Sequence, residues 1–149
     1  MRGRFLALML TIGLATLVSC HTTKQPTTVR ASIAGTYWKV VMLNGKVVQS
    51  AGQSAKEPHM ILSASDNKVN GTGGCNSFFG TYELQGDNGI TFSPIGATKM
   101  ACQDNVMAVE HQLFQAFEMT GRFTLSNDTL ILTTTDMSPL AKFVAGSKK

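Results

Sequence analysis

Cysteine, histidine and one glutamate in an otherwise apolar stripe are the side chains of this sequence with the most chemistry to offer. A redox centre would need a C-x-x-C arrangement, and Cys20, Cys75 and Cys102 are spaced far too widely for one. Zinc would want closely spaced ligand pairs, and His59, Cys75, Cys102 and His111 contain none, so no metal is expected. Residues 70–82 (NGTGGCNSFFGTY) are glycine-rich like a nucleotide loop. They lack the Gly-Lys-Ser/Thr close of a P-loop and the G-x-G-x-x-G spacing of a dinucleotide site. Glu110 is left as a candidate acid. General acid catalysis needs a positioned partner, and no carboxylate or histidine has a spacing that supplies one. The residues therefore point to a non-enzymatic protein without a cofactor.

Cys20 has a different chemistry. Two arginines, an uncharged run over residues 5–18 and small residues after it read as a signal peptide. As a helix the 14-residue run would reach about 21 Å, short of the roughly 30 Å of a bilayer's hydrocarbon. Its end, Leu17-Val18-Ser19-Cys20, resembles the bacterial lipoprotein box, in which the cysteine becomes the lipidated first residue of the mature chain. Residues 1–19 are then the signal peptide. Several acyl chains on one cysteine anchor stably where a single chain is marginal. His21 stands where an aspartate would resemble an inner-membrane retention signal, so the expected location is the periplasmic face of the outer membrane. Residues 20–34 are threonine-rich and without aromatics, which suits an anchor and flexible tether.

Export bears on the other two cysteines. Cys75 and Cys102 are left as a pair in an oxidising compartment, which favours one disulfide; two free buried thiols or a metal site are the alternatives. Charge excludes another class of partner. The net charge of +4 comes from the chain ends, because residues 35–145 hold seven bases against nine acids. Nucleic-acid binding needs a basic stripe on the folded surface, and residues 57–136 carry nine acids and three bases.

The elements that must position these residues are short. Tyr37–Leu43 reads as a strand ending at Asn44-Gly45, a hairpin signal, with residues 45–48 returning. Residues 59–64, a strand from Lys68, a strand marked by Phe79 and Leu84, and residues 90–92 continue a meander, the glycine-rich stretch being a bulged connection. One helix is predicted over Asp104–Met119, with Asp104 as N-cap and Gly121 as terminator. Val106, Val109, Leu113, Ala116 and Phe117 share its apolar face, and Glu110 falls inside that stripe. Glu110 is either a structural carboxylate, at the face's edge or accepting backbone hydrogen bonds, or a functional acid. Residues 122–125, 129–133 and 140–144 finish the sheet, and pairing of its terminal strands would close it. The expected fold over residues 35–145 is α+β: a curled antiparallel sheet of seven or eight short strands packed on one helix. Met107, Phe114, Phe117 and Met119 could line a crevice between helix and sheet in a small-ligand or lipid carrier, the alternative function.

GTGGCNSFFGTYEL, ATKMAC, VEHQLFQAF and NDTLIL, in that order, resemble the signature blocks of the META domain, the small domain of bacterial heat-shock-associated HslJ-type lipoproteins. The likeness runs over about residues 36–143. The G-C-N motif matches Gly74, Cys75 and Asn76, the T-x-M-A-C block matches Thr98, Met100, Ala101 and Cys102, and the helix glutamate matches Glu110. At Ser77-Phe78 the chain departs from relatives that carry a basic residue first. The resemblance implies a cracked antiparallel barrel with a helix, and envelope proteins linked to heat response and, in one branch, to novobiocin tolerance. It carries over no catalytic residue. The function expected is envelope maintenance or stress response through contact with a protein whose identity the residues do not name.

Overall fold

Asparagines and a glycine in left-handed conformations turn the chain back on itself. Asn44 and Gly45 have φ of 47° and 77°, the two positive values that a type I′ hairpin requires, and join β1 (Tyr37–Leu43) to β2 (Lys46–Val47). Asn67 at 53° ends the turn between β3 (His59–Leu62) and β4 (Lys68–Thr72), and Asn127 at 50° turns β8 (Arg122–Ser126) into β9 (Thr129–Thr133). The remaining elements are β5 (Ser77–Gln85), β6 (Gly89–Phe92), β7 (Gly96–Ala97), α1 (Asp104–Met119) and β10 (Pro139–Gly146). This computed structural model describes residues 32–49 and 56–147. The expected signal peptide, Cys20 and all but the end of the expected tether lie outside the described residues.

All strand pairs are antiparallel. The order β1-β3-β4-β5-β6-β8-β9-β10 closes because β10 returns to β1, with Tyr37 opposite Gly146 and Val40 opposite Phe143. The result is an eight-strand barrel with one helix. Two two-residue strands attach to it, β2 on β1 and β7 on β5, so the expected seven or eight strands become ten. A two-residue strand such as β7 carries no period that a sequence could show. The thinnest seam lies between β6 and β8, where Gly89 opposite Arg122 is the one register pair. There Ile90 N–H donates to Gly121 O (3.2 Å), Phe123 N–H to Asn88 O (2.8 Å) and Arg122 Nη2 to Asn88 Oδ1 (2.9 Å).

Alternation along the strands fills the barrel. Trp38 and Val40, Met60 and Leu62, Leu130 and Leu132, each two apart, are buried together with Val69, Ile90 and Phe143. Burial assigns the faces of β5: Phe78 and Tyr82 point in, while Phe79 lies outside against Gly96. The glycine-rich stretch is mostly strand, belonging to β4 and β5, and only residues 73–76 form the connection.

The helix spans the predicted residues, but both predicted ends need correction. Gln103, in extended conformation and without a side-chain bond, is the N-cap, and Asp104 is instead the acid of the first turn. The Val106 N–H, a donor that Asp104 was expected to serve, donates instead to Gln103 O (2.9 Å) and to Asn105 Oδ1 (3.0 Å). At the other end Thr120 leaves the helix at φ −69°, ψ 129° and donates its hydroxyl to Ala116 O (2.6 Å), so no left-handed glycine is used. Gly121 serves close packing, since a Cβ there would lie 2.5 Å from Thr135 Oγ1. The helix packs against β1, β6 and β10 and buries Val106, Glu110, Leu113, Ala116 and Phe117.

Candidate functional site

Glu110 faces the β4–β5 connection, 34 residues away in sequence, and its carboxylate is fully occupied there. Oε2 accepts the Asn76 backbone N–H (2.6 Å) and Oε1 accepts Asn76 Nδ2 (2.7 Å). Both residues are buried, Glu110 at 5% and Asn76 at 3% exposure. Buried carboxylates need donors aimed at them, and this one receives two from a single residue. Of the two readings of Glu110, the geometry matches a carboxylate that accepts hydrogen bonds from backbone and side chain, held inside the packed face rather than at its edge.

Asn76 has every polar atom engaged. Its Oδ1 accepts from the Thr98 hydroxyl (2.8 Å) and from Met100 N–H (2.7 Å), while Nδ2 also donates to Met100 O (3.3 Å). Its carbonyl accepts from Thr72 Oγ1 (2.8 Å) and Gly73 N–H (3.1 Å). Three segments thus meet at one amide: the β4–β5 connection, residues 98–100 and the helix. Gly73 permits the approach, because a Cβ there would lie 2.9 Å from Glu110 Cα and closer still to its side chain. Gly74 turns the chain at φ 115° beside Val106.

Cys75 and Cys102 are joined by a disulfide that ties the same connection to the residues just before the helix. The free-thiol and metal alternatives are thereby set aside for this pair. Double replacement, C75A with C102A, is expected to lower stability by about 2–4 kcal/mol, chiefly by freeing the unfolded chain. Protein taken from an oxidising compartment should show no thiol under denaturing, non-reducing conditions; two titratable thiols would contradict the pairing.

The structure therefore brings Gly74, Cys75, Asn76, Thr98, Met100, Cys102 and Glu110 into one cluster. Cys20 lies outside the described residues. His59 and His111 join neither the cluster nor each other: His59 stacks on Tyr37 (4.3 Å between ring centroids), and His111 is exposed on the helix. Among the described residues no three His, Cys, Asp or Glu side chains converge as metal ligands would.

Sequence reasoning missed Thr72 and Gly73, although a Gly-Gly pair beside an apolar-stripe glutamate was a signal for close approach. It also missed a cluster outside the barrel, on β1 and β3. There Glu57 accepts from Tyr37 Oη (3.3 Å) and pairs with Lys39, and its carbonyl lies 2.9 Å from His59 Nδ1. Burial first, and then the Glu57 charge, raise the Tyr37 pKa above the ordinary phenol value.

Among the described residues, concavities open at three places along β1. One of about 400 Å³ lies between the β1–β2 hairpin and the helix, walled by Leu43, Val47, Val48, Ala108 and Val109 with Lys46 and Gln112 at the rim. A smaller one of about 80 Å³ continues it past Val48 and Val109 to Lys56 and Gly74. A third of about 240 Å³ lies along β1 and β10 beside Met42, Ile131 and Pro139. The crevice expected at Met107, Phe114, Phe117 and Met119 is not among them. Phe117 is core, Phe114 packs edge-on to Phe78 (5.6 Å), and Met119 is exposed. Phe114 and Phe117 fill the space toward the sheet against Phe78 and Phe92, while Met107 and Met119 face outward.

No curated protein matches the chain. An NMR structure of a protein from Burkholderia xenovorans is similar over 78% of this chain and 85% of its own, at 23% identity and a TM-score of 0.63. The crystal structure of a DUF4847 family protein from Bacteroides vulgatus is similar over 78% of this chain and 96% of its own, at 14% identity and a TM-score of 0.53. At these identities the likeness is one of fold. The model of the META domain matches residues 31–147, a span that contains the whole barrel, the Asn76–Glu110 cluster and the disulfide, and the chain belongs to that family.

Proposed function

We propose that this protein is a non-enzymatic, HslJ-like envelope lipoprotein, anchored through Cys20 at the periplasmic face of the outer membrane, that acts in envelope maintenance or stress response by contact with another envelope protein. In this reading residues 1–19 are removed, residues 20–34 are anchor and tether with Ile33 and Ala34 already packed against the core, and the contact domain expected over residues 35–145 runs on to Gly146 in β10. The thin β6–β8 seam is where a cracked barrel of the expected kind would open. No cofactor and no nucleic acid takes part. The observation that carries the reading is how the polar groups are used. Those the sequence singled out, Glu110 and Asn76 above all, are saturated in bracing the fold, whereas apolar Val47 is 69% exposed beside the hairpin–helix groove.

The same groove favours a second reading, the carrier of a small apolar ligand or lipid, because its volume falls within the range of ligand sites. A photo-crosslinking residue at Val47 in the lipidated protein, with Thr124 on the opposite strands as control, separates the two. Protein contact predicts a discrete envelope adduct from position 47 that Q112W, filling the groove, abolishes. Absence of that adduct, together with fatty-acid probe binding that Q112W blocks, would replace contact by carriage. C20S should release the folded domain from membranes, and palmitate incorporation into C20S would refute the anchor.

A further inference from the structure

Methionine is placed in this protein where packing does not account for it. Among the described residues Met60 is fully buried and Met42 half-buried, whereas Met100, Met107, Met119 and Met137 are 55%, 36%, 58% and 52% exposed. Thioether side chains ordinarily fill irregular gaps in cores, whereas three of these lie more than half in water and Met107 about a third. Met137 stands at φ 69°, a left-handed position that glycine or asparagine occupies with less strain. Met100 is held by its main chain alone, through the two bonds to Asn76, and its side chain points out of the cluster.

A shared docking patch does not account for them either. Met107 and Met119 are separated by twelve positions on the helix, about 18 Å along its axis and about 120° around it. Several other targets of oxidation are shielded: Trp38 is fully buried, Tyr82 is 3% exposed, Cys75 and Cys102 are already joined, and Tyr37 alone of the two tyrosines is half-exposed.

We propose that Met100, Met107, Met119 and Met137 are sacrificial sites for two-electron oxidants, hypochlorous acid or peroxides, intercepted at the surface of a fold that does not depend on them. With a peroxide, a sulfur lone pair attacks one peroxide oxygen and the O–O bond breaks. The sulfide becomes a sulfoxide, losing two electrons, and the second oxygen leaves as water. With hypochlorous acid the products are the sulfoxide, chloride and a proton. A sulfoxide at these positions faces water, so its polarity carries no burial cost, and sulfoxide reductases can reverse the change. The inference is independent of the proposed protein contact, since it concerns side chains apart from the groove walls.

Graded hypochlorous acid applied to the folded mature chain, followed by peptide mass mapping and thermal melts, tests it. Sulfoxide at Met100, Met119 and Met137 is expected to form at least about tenfold faster than at Met60, with Met107 between, and the melting temperature should hold while these sites are consumed. In mixtures with an oxidant-sensitive enzyme, wild type should preserve that enzyme's activity better than the M100L/M107L/M119L/M137L variant. Even oxidation across all methionines, a melting temperature that falls with the first additions, or equal protection by a folded leucine variant would overturn the proposal. Should that variant fail to fold, mapping and melting of the wild type decide alone.

Discussion

N76A is expected to lose about 3–5 kcal/mol of stability, the cost of leaving Glu110 Oε1 and its polar neighbours without the amide, while the backbone N–H at position 76 still serves Oε2. The side chain serves Glu110 Oε1, the Thr98 hydroxyl and both main-chain groups of Met100. Water cannot readily replace it in a residue 3% exposed. E110A leaves two donors of Asn76 facing an apolar gap and should cost a similar amount. E110Q keeps the volume but turns an amide NH2 toward a donor, so it should cost less, about 1–3 kcal/mol. In the double variant N76A/E110A the losses should be far from additive, because both remove one shared interaction. Denaturant midpoints with unchanged slopes measure all four. Losses under about 1 kcal/mol in both alanine variants would show that the cluster is not the brace described.

F117A should be comparably severe, about 3–5 kcal/mol, through lost transfer energy and the cavity left behind. Phe117 is 1% exposed and lies between Phe78 (5.4 Å) and Phe92 (4.8 Å), so the change also removes two aromatic contacts. L113A should lose about 2–5 kcal/mol by the same mechanism. In a carrier whose pocket lay on this face, truncation would cost little and alter ligand uptake. Measuring stability and fatty-acid probe binding together on both variants distinguishes the outcomes. A loss under about 1 kcal/mol in each, with a large change in probe affinity, would move carriage ahead of protein contact and place the site inside the barrel.

Much of the frame was legible because local signals carry local conformations. The Asn44-Gly45 pair specifies φ > 0 at both positions and appears as the predicted hairpin; the 3.6-residue stripe from Val106 to Phe117 appears as the buried helix face. Where a neighbour outside the window decides, the reading failed. Asp104 has the residue type of an N-cap, but Gln103 adopts the capping conformation. Gly121 has the residue type of a terminator, but what it meets is Thr135. The expected crevice failed for the same reason, since helical spacing places Phe114 and Phe117 on a face without saying that Phe78 and Phe92 already fill the space against it.

By itself the sequence determined the single helix and its apolar face, the turns, and the pairing preference of Cys75 with Cys102. Each depends on residue type, spacing or parity within the chain. Closure by the terminal strands was open to the sequence, and tertiary structure decided it by setting β10 beside β1 with Val40 opposite Phe143. Tertiary structure alone placed Glu110 against Asn76, exposed Val47 and four methionines, and buried Phe117 away from any pocket. The physical reason is one of range. Turn and helix preferences act over a few residues through φ/ψ sterics, whereas a carboxylate meeting an amide 34 positions away depends on strand register and helix docking, and these are set by burying the whole core at once.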